Sequence, residues 1–260
     1  KSKNAVVGLD DILATVGIVA ALNKIADAFS NASDKAAEFE TNVAMVSTVA
    51  DTTVLSADQL ATQISGLSKD TAKNVNELAD ATYNAISAGV ATEGAVETVG
   101  EASKLATAGF TSSASALSVL TTALNAYQLE ASEVTNISDS LITSQNLGVM
   151  TIDQLSSSMG KAISTASAYS IDLYNLESGY ISLTKAGVSV EESTTYISSM
   201  FNELGDSGSE VAGVIMEETG QSFGQLMKSG YSLADVLEIL YNSVDQDSEA
   251  LMNLLSLIHI

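Results

Sequence analysis

The sequence predicts an all-α fold, an irregular bundle of antiparallel helical hairpins with a long N-terminal helix. None of the 260 residues is proline, so only glycine can interrupt a helical hydrogen-bond ladder. Apolar residues recur three and four positions apart along most of the chain, which is the period of one helix face. Frequent start and stop signals then divide the chain into helices of ordinary length.

The long amphipathic N-terminal helix is predicted for residues 1–50. Asp10 and Asp11 place carboxylates near its start, where they complement the helix dipole. One apolar stripe follows, formed by Ile12, Val16, Val19, Leu22, Ala26, Phe29, Ala36, Phe39, Val43 and Val46. The most apolar run, residues 12–22, is too short to span a bilayer. Packing on neighbouring helices is therefore the preferred interpretation, and membrane contact is the alternative.

Residues 51–204 are predicted to form a helical core domain whose helices begin at capping residues. Three pairs have the capping-box pattern, in which the side chains at the first and fourth positions cap each other's backbone N–H groups: Ser56 with Gln59, Thr151 with Gln154, and Ser189 with Glu192. Asn74 with Glu77 resembles this pattern, and Asp172 opens a further helix. The corresponding apolar faces are Ile64 and Leu67; Val75, Leu78, Thr82 and Ile86; Leu155, Met159, Ala162 and Ile163; Leu173, Leu176, Tyr180 and Leu183; and Ile197, Met200, Phe201 and Leu204.

Three more helices of this domain lack such a box. One is predicted from Thr92 to Ala108, where Gly109 stops it. The next is marked by Leu117, Leu120 and Leu124, and the third starts at Ser132 and carries Ile137, Leu141 and Ile142.

The C-terminal part, residues 205–254, is predicted to form helical hairpins. Residues 205–209 are the most polar stretch of the chain and are a candidate subdomain boundary. Helices are predicted at 211–218, 223–228 and 232–244, and a last one from residue 248. Residues 255–260 are expected to be a non-native tail, which would include the single histidine, His259, and the chain is expected to be an internal fragment of a longer protein.

One turn pattern recurs, in which a small residue and glycine end a helix and a hydrophobic residue and a start signal follow. The glycines are Gly89, Gly109, Gly148, Gly187 and Gly230, at spacings of 20, 39, 39 and 43 residues. Each glycine is expected in the left-handed C′ position, with the next hydrophobic residue packed back on the finished helix. About two helices fit in each interval of 39 residues. This leaves a solenoid-like repeat as an alternative to the irregular bundle.

Charge and composition exclude several classes of function. The formal net charge is −22, which disfavours nucleic acid and anionic membrane surfaces as partners. Because cysteine is absent, the chain has neither a disulfide framework nor a thiolate nucleophile.

No catalytic, cofactor-binding or metal-binding residues are predicted. Residues 205–208 read GDSG, as around a protease serine, but the required histidine base and β-strand pattern are lacking, so a turn is predicted. Asp245, Asp247 and Glu249 have the alternate spacing of a calcium loop without its glycine and its final glutamate, so a solvated loop between helices is predicted. The chain is accordingly expected not to be an enzyme and to need no cofactor.

The stretch from Asp139 to Glu203 resembles the core of phage tail tape measure proteins of the TP901 type. The resemblance rests on residues 143–148 (TSQNLG), 151–155 (TIDQL), 158–161 (SMGK), 165–166 (TA), 183–187 (LTKAG) and 192–196 (ESTTY). Flanking pieces at 77–89 and 219–230 extend it to roughly residues 36–254. One departure is Ser164 in a segment where the family often has proline, so this helix is expected to run on.

The resemblance implies a structural protein that determines tail length during assembly and is later released ahead of the DNA. It implies a location in the lumen of the virion tail after assembly in the host cytoplasm. The implied partners are other copies of the chain, the tail tube protein, tail assembly chaperones and tail tip or baseplate proteins. Transient contact of the full-length protein with the host membrane belongs to the same expectation, whereas direct nucleic-acid binding does not.

The glycine stops predict that this fragment is a compact helical domain and that the ruler segment lies elsewhere in the longer protein. A single helical rod of this length would reach about 390 Å at a rise of about 1.5 Å per residue. The alternative function is a secreted or host-directed helical interaction module, which composition alone does not separate from a tape measure protein.

Overall fold

The computed structural model describes residues 33–255 together with residues 24, 30 and 31. Every regular element within these residues is helical, which confirms the predicted all-α class. The chain divides between Tyr83 and Asn84 into two compact units. The domain boundaries predicted near residues 50 and 204 stay predictions.

The first unit contains the described end of the N-terminal helix. Residues 33–49 are helical (α1) and are followed by α2 (Ala57–Thr71) and by α3 (Val75–Ser87), which carries the division between the units. Val43 and Val46 of the predicted stripe are buried, whereas Ala36 is exposed. The stripe from Ile12 to Phe29 lies outside the described residues.

The second unit contains ten α-helices within its described residues. They are α4 (Thr92–Ala108), α5 (Ser113–Tyr127), α6 (Val134–Leu147), α7 (Ile152–Ala168), α8 (Leu173–Lys185), α9 (Val190–Gly205), α10 (Glu210–Thr219), α11 (Phe223–Lys228), α12 (Leu233–Ser243) and α13 (Ser248–Leu254). A short 3-10 turn, Ala131–Glu133, precedes α6, so Ser132 lies before the helix that it was predicted to start. Helix α7 continues past Ser164 to Ala168, as the absence of proline predicts.

The helices from α4 to α9 form two rows in the second unit. Helices α4, α6 and α8 contact one another in chain order, and α5, α7 and α9 form the second row. Helices α10 and α11 then contact α9, and α12 contacts α10, α11 and α13. The hairpins of the predicted bundle are therefore stacked, and the 39-residue glycine interval corresponds to one step of the stack.

The capping predictions identify the true helix starts. All three predicted boxes form, and Asp172 caps α8 by accepting from the Asn175 N–H at 2.7 Å. Asn74 caps α3 differently from the predicted box, because its Oδ1 accepts from the N–H of Asn76 at 2.8 Å. Two further boxes form at Ser222 with Gln225 and at Ser232 with Asp235.

The predicted glycine turn is right at three of five positions. Gly89, Gly187 and Gly230 are left-handed, with φ of 102°, 91° and 96°. At these turns the N–H of the third residue after the helix bonds back across the last helical turn; an example is Val90 N to Ala85 O at 3.1 Å. The prediction is wrong for Gly109 and Gly148, whose φ angles are −89° and −94°.

Close packing explains why glycine occupies these two positions. A Cβ on Gly109 would lie 2.6 Å from Ile152 Cγ1, and one on Gly148 would lie 2.7 Å from Met150 Cε. The left-handed residue after α4 is instead Phe110, with φ of 53°. The glycines here permit contact between side chains and backbone, a requirement that local sequence does not reveal.

The core of the second unit is built mainly from aliphatic side chains and alanine. Its largest completely buried side chains are three aromatics, Tyr180, Phe201 and Phe223. The Tyr180 hydroxyl lies 2.6 Å from Thr194 Oγ1, so its polar end is satisfied where α8 meets α9. Within the described part of the chain, no helix has the length and apolar character that crossing a membrane requires.

Candidate interaction surface

The GDSG stretch forms the predicted turn between α9 and α10. Gly205 is the last residue of α9, and Asp206 Oδ1 accepts a hydrogen bond from the Gly208 N–H at 2.9 Å. Ser209 then caps α10 by accepting from the Ala212 N–H at 3.0 Å. Asp206 and Ser209 thus have structural roles in this turn, and the histidine that a protease would need, His259, lies outside the described residues.

The acidic residues near the C-terminal end also belong to a turn between helices. Asp247 caps α13 by accepting from the N–H groups of Glu249 and Ala250, at 2.8 and 3.2 Å. Asp245 is left-handed, with φ of 52°. Among residues 33–255, no group of three or more His, Asp or Glu side chains is arranged to hold a metal ion. The absence of catalytic and ligand-binding residues stays a prediction.

Apolar side chains recur at the turns that connect the two rows of helices, and two of the three are exposed. Phe110 follows α4, Val149 follows α6 and Val188 follows α8, at intervals of 39 residues. Phe110 is 93% exposed and Val149 is 71% exposed. Leu147, at the end of α6, is 51% exposed. We call Phe110, Leu147 and Val149 the apolar edge.

Two contacts bring consecutive turns together. Thr111 Oγ1 donates a hydrogen bond to Asp153 at the start of α7, and the Val149 N–H donates to Thr184 Oγ1 at the end of α8, at 3.1 Å. The Thr111 bond also lowers the pKa of Asp153 from its usual value. The turns therefore follow one another along one side of the second unit, which places the apolar edge on a single surface.

Phe110 is unfavourable in isolation. Its left-handed backbone brings Cβ close to the following carbonyl oxygen, a conformation that glycine or asparagine adopts more readily. Its ring is almost fully in water, so burial does not offset that strain. Together with the exposed Leu147 and Val149, this residue makes the apolar edge a candidate contact surface.

A groove of about 400 Å³ lies between α6 and α8, next to this edge. Its rim carries Leu147 and Tyr174, the latter 60% exposed. Its floor contains Glu177, which is only 3% exposed and accepts a hydrogen bond from Ser140 Oγ at 3.0 Å. Asp139 of α6 lines the same groove, so both walls contribute a carboxylate.

The environment of Glu177 disfavours its ionised form. Burial raises its pKa to about 7, although hydrogen bonds from Ser140 and Ser144 act in the opposite direction. The charge of Asp172, at the start of α8, adds to the increase. Burial, with Asp172 and Glu177, also raises the pKa of Tyr127, whose buried hydroxyl has no hydrogen-bond partner within the described residues.

Sequence reasoning missed both Phe110 and Glu177 as surface determinants. Phe110 was predicted to pack back on α4, but Gly109 occupies the helix end, and so Phe110 takes the exposed left-handed position. Glu177 lies four residues after Leu173 and three before Tyr180, on the buried stripe of α8. That spacing was a usable signal that a carboxylate would point into the protein.

The second unit as a whole is strongly acidic. Residues 84–255 contain 21 Asp and Glu residues against four lysines, Lys104, Lys161, Lys185 and Lys228. Within α4, an ion pair joins Lys104 to Glu101 at 2.5 Å. A partner with basic character therefore complements this unit better than an acidic one.

Comparisons with known proteins agree with the resemblance noted in the sequence. The family described as phage-related minor tail protein matches residues 61–255. A "Probable tape measure protein" of Clostridium phage phiCD119 is 28% identical over 234 residues, which cover 86% of this chain and 25% of the relative. The chain thus spans about a quarter of that relative's length. No solved structure matches this chain significantly.

These matches confirm the resemblance to tape measure proteins, and the TP901 type stays a prediction. Both matches are to phage tail proteins, so neither supports the alternative of a secreted or host-directed module.

Proposed function

Because the chain belongs to the family of phage-related minor tail proteins, we propose that it is a compact helical domain of a tape measure protein, which determines tail length during assembly. The family match carries this proposal, since it extends over about three quarters of the chain. In this function the full-length protein occupies the lumen of the virion tail, is assembled in the host cytoplasm and leaves ahead of the DNA. The role is structural and not catalytic.

The arrangement of the helices supports a docking role for this domain, with the ruler segment elsewhere. A ruler gains length from an uninterrupted helix, which rises about 1.5 Å per residue. In residues 84–255 the longest helices have 17 residues, and consecutive helices fold back into stacked rows. Such folding shortens the span per residue, so a change in the number of residues here changes tail length little.

The apolar edge is the part of the domain best suited to contact other tail components. The proposed partners are other copies of the chain, the tail tube protein, assembly chaperones and proteins of the tail tip or baseplate. The exposure of Phe110 and Val149 supports such contacts, because an apolar side chain gains free energy when a partner removes it from water.

In-frame deletion of residues 84–255 from the full-length gene tests the division between domain and ruler. We expect few assembled tails, and those that form should not be shorter by the roughly 260 Å that an extended helix of this length would contribute. Tail lengths are measured by electron microscopy. Shortening by that amount would show that this segment is the ruler, and normal numbers of normal tails would contradict a structural role in the tail.

A double variant, Phe110→Gly with Val149→Ser, tests the apolar edge without removing the domain. We expect fewer assembled tails and no loss of thermal stability, because Gly relieves the left-handed strain at position 110. The matched control is Tyr231→Ser, which removes a partly exposed aromatic ring at another turn, and it should assemble normally. Equal tail numbers in the double variant and the wild type would rule out the edge as a docking surface.

A further inference from the structure

The groove between α6 and α8 contains a buried carboxylate that lacks a positively charged neighbour. Glu177 is 3% exposed and is held by Ser140 of the facing helix. The charged and titratable groups that act on Glu177 or line its groove are Asp172, Asp139, Tyr127 and Tyr174, and none of these is a cation. Lys104 of α4 interacts with the charge of Asp139, but it is not among the groups that shift the pKa of Glu177. A buried carboxylate with only neutral donors retains much of the desolvation cost of its charge.

The rest of the groove suits a long side chain with a cationic head. Leu147 and Tyr174 on the rim offer apolar surface for an aliphatic stem, and Asp139 adds a second negative charge. A guanidinium group matches this combination better than an ammonium group. It is less strongly hydrated, can pair with a carboxylate through two hydrogen bonds and stacks on an aromatic ring such as that of Tyr174.

The composition of the chain indicates where such a side chain comes from. All ten basic residues among these 260 are lysines, so the same 260 residues of a second copy cannot supply an arginine. Two copies of the acidic second unit would also repel each other at this face, whereas a basic surface on a different protein would be attracted.

We propose that the α6–α8 groove is a docking site for an arginine side chain of a different tail protein, with the guanidinium paired to Glu177 and the stem lying between Leu147 and Tyr174. The choice of a tail protein rests on the proposed function. Peptide binding to the groove is measured on the purified chain, however, whereas the proposed function is tested by tail assembly. A failure of the docking proposal can therefore be distinguished from a failure of the proposed function.

The test uses two helical peptides of 16 residues, built from alanine, leucine, glutamine and one tryptophan, that differ only at a central position. One has arginine there and the other has citrulline, which is neutral and nearly isosteric. Because the chain contains no tryptophan, binding is followed by the fluorescence anisotropy of the peptide. At pH 8, where Glu177 is ionised, the arginine peptide is expected to bind at least about tenfold more tightly.

Two variants assign that difference to the groove. Glu177→Gln should reduce the difference in affinity between the two peptides to less than about twofold, since the neutral amide loses the charge-assisted bond. Glu238→Gln removes an exposed carboxylate from α12 and should leave the difference unchanged. Circular dichroism of both variants checks that the fold is retained, and Asp139→Asn, at an exposed position, should weaken arginine binding even if Glu177→Gln perturbs α8.

Three results would overturn the proposal. The first is the absence of a difference between the peptides on the wild-type chain, whether both bind or neither does. The second is a difference that persists in Glu177→Gln and Asp139→Asn. The third is displacement of the arginine peptide by an equal concentration of putrescine, which would assign the groove to a free polyamine.

Discussion

Phe110 and Glu177 occupy positions that their residue types normally avoid. Phe110 has a left-handed backbone and an exposed ring, and Glu177 is a carboxyl group almost removed from water. Each lowers the stability of the folded chain, through backbone strain in one case and desolvation in the other. Phe110 belongs to the apolar edge, and Glu177 lines the groove that also contains Leu147 of that edge. Both residues therefore lie where we place the contacts with partners.

The raised pKa of Glu177 makes stability depend on pH. The folded value of about 7 lies above the ordinary value of 4.5, so the folded chain holds this proton more tightly than the unfolded chain. The stabilisation by this proton is complete below pH 4.5 and is lost as the pH rises towards 7. At about 1.36 kcal/mol per unit, the loss amounts to about 3 kcal/mol.

We therefore expect Glu177→Gln to gain stability relative to the wild type as the pH is raised from 4.5 to 8. The gain should approach 3 kcal/mol at most, by the scale of about 1.36 kcal/mol per unit. Urea denaturation at several pH values measures it. The control Glu238→Gln should follow the wild type within about 0.5 kcal/mol, as exposed substitutions usually do. A constant difference between Glu177→Gln and wild type across this range would contradict the assignment.

At the scale of elements, helix ends are determined locally but their packing is not. Ser56, Thr151 and Ser189 cap helices where the sequence places them, because a capping box involves only four consecutive residues. Gly109 is different, since its role depends on Ile152, which is 43 residues away. The stacking of the hairpins thus brings Ile152 close to Gly109, whereas the local sequence indicates only a left-handed turn at this glycine.

We expect Gly109→Ala to lower the free energy of unfolding by about 1–3 kcal/mol, because the added methyl group would overlap Ile152. Gly213→Ala is the matched control. It lies on an exposed position of α10 with no atom within 4 Å of the new Cβ, and should raise stability by about 0.5–1 kcal/mol. Urea denaturation measures both variants. Stabilisation by Gly109→Ala would show that α4 and α7 do not approach each other closely.

At the scale of the whole molecule, charge opposes folding. The net charge of −22 arises because the chain has 32 acidic residues and ten basic ones. Like charges brought together by folding repel one another, while salt screens exposed pairs separated by more than about 10 Å at 0.1 M. The acidic surface favours solubility and basic partners at the expense of stability.

We expect the melting temperature to rise when NaCl is increased from about 0.05 to 0.5 M, a range in which screening strengthens. A gain of about 1 kcal/mol corresponds to roughly 2–4 °C for a chain of this size. Differential scanning calorimetry measures the change. The variant Lys185→Glu, at an exposed position, adds negative charge and should show a larger rise. A melting temperature that is unchanged or lower in salt would contradict this view of the charge.

The sequence by itself determined the helices, their caps and the family. Helical period, capping boxes and the absence of proline act over a few residues, and so the bounds of α4 and α11 and the start of α7 agree with the prediction. The resemblance likewise depended on short motifs in a fixed order. For this reason the fold class and the tail family were accessible without coordinates.

Only the tertiary structure decided which side chains are exposed, strained or buried between helices. The two rows of helices, the close approach at Gly109 and the burial of Glu177 each depend on residues more than thirty positions apart. Sequence patterns show which face of a helix is apolar, but not which neighbouring helix packs on that face or how far the packing extends. The apolar edge and the α6–α8 groove lie where the packing by neighbouring helices stops.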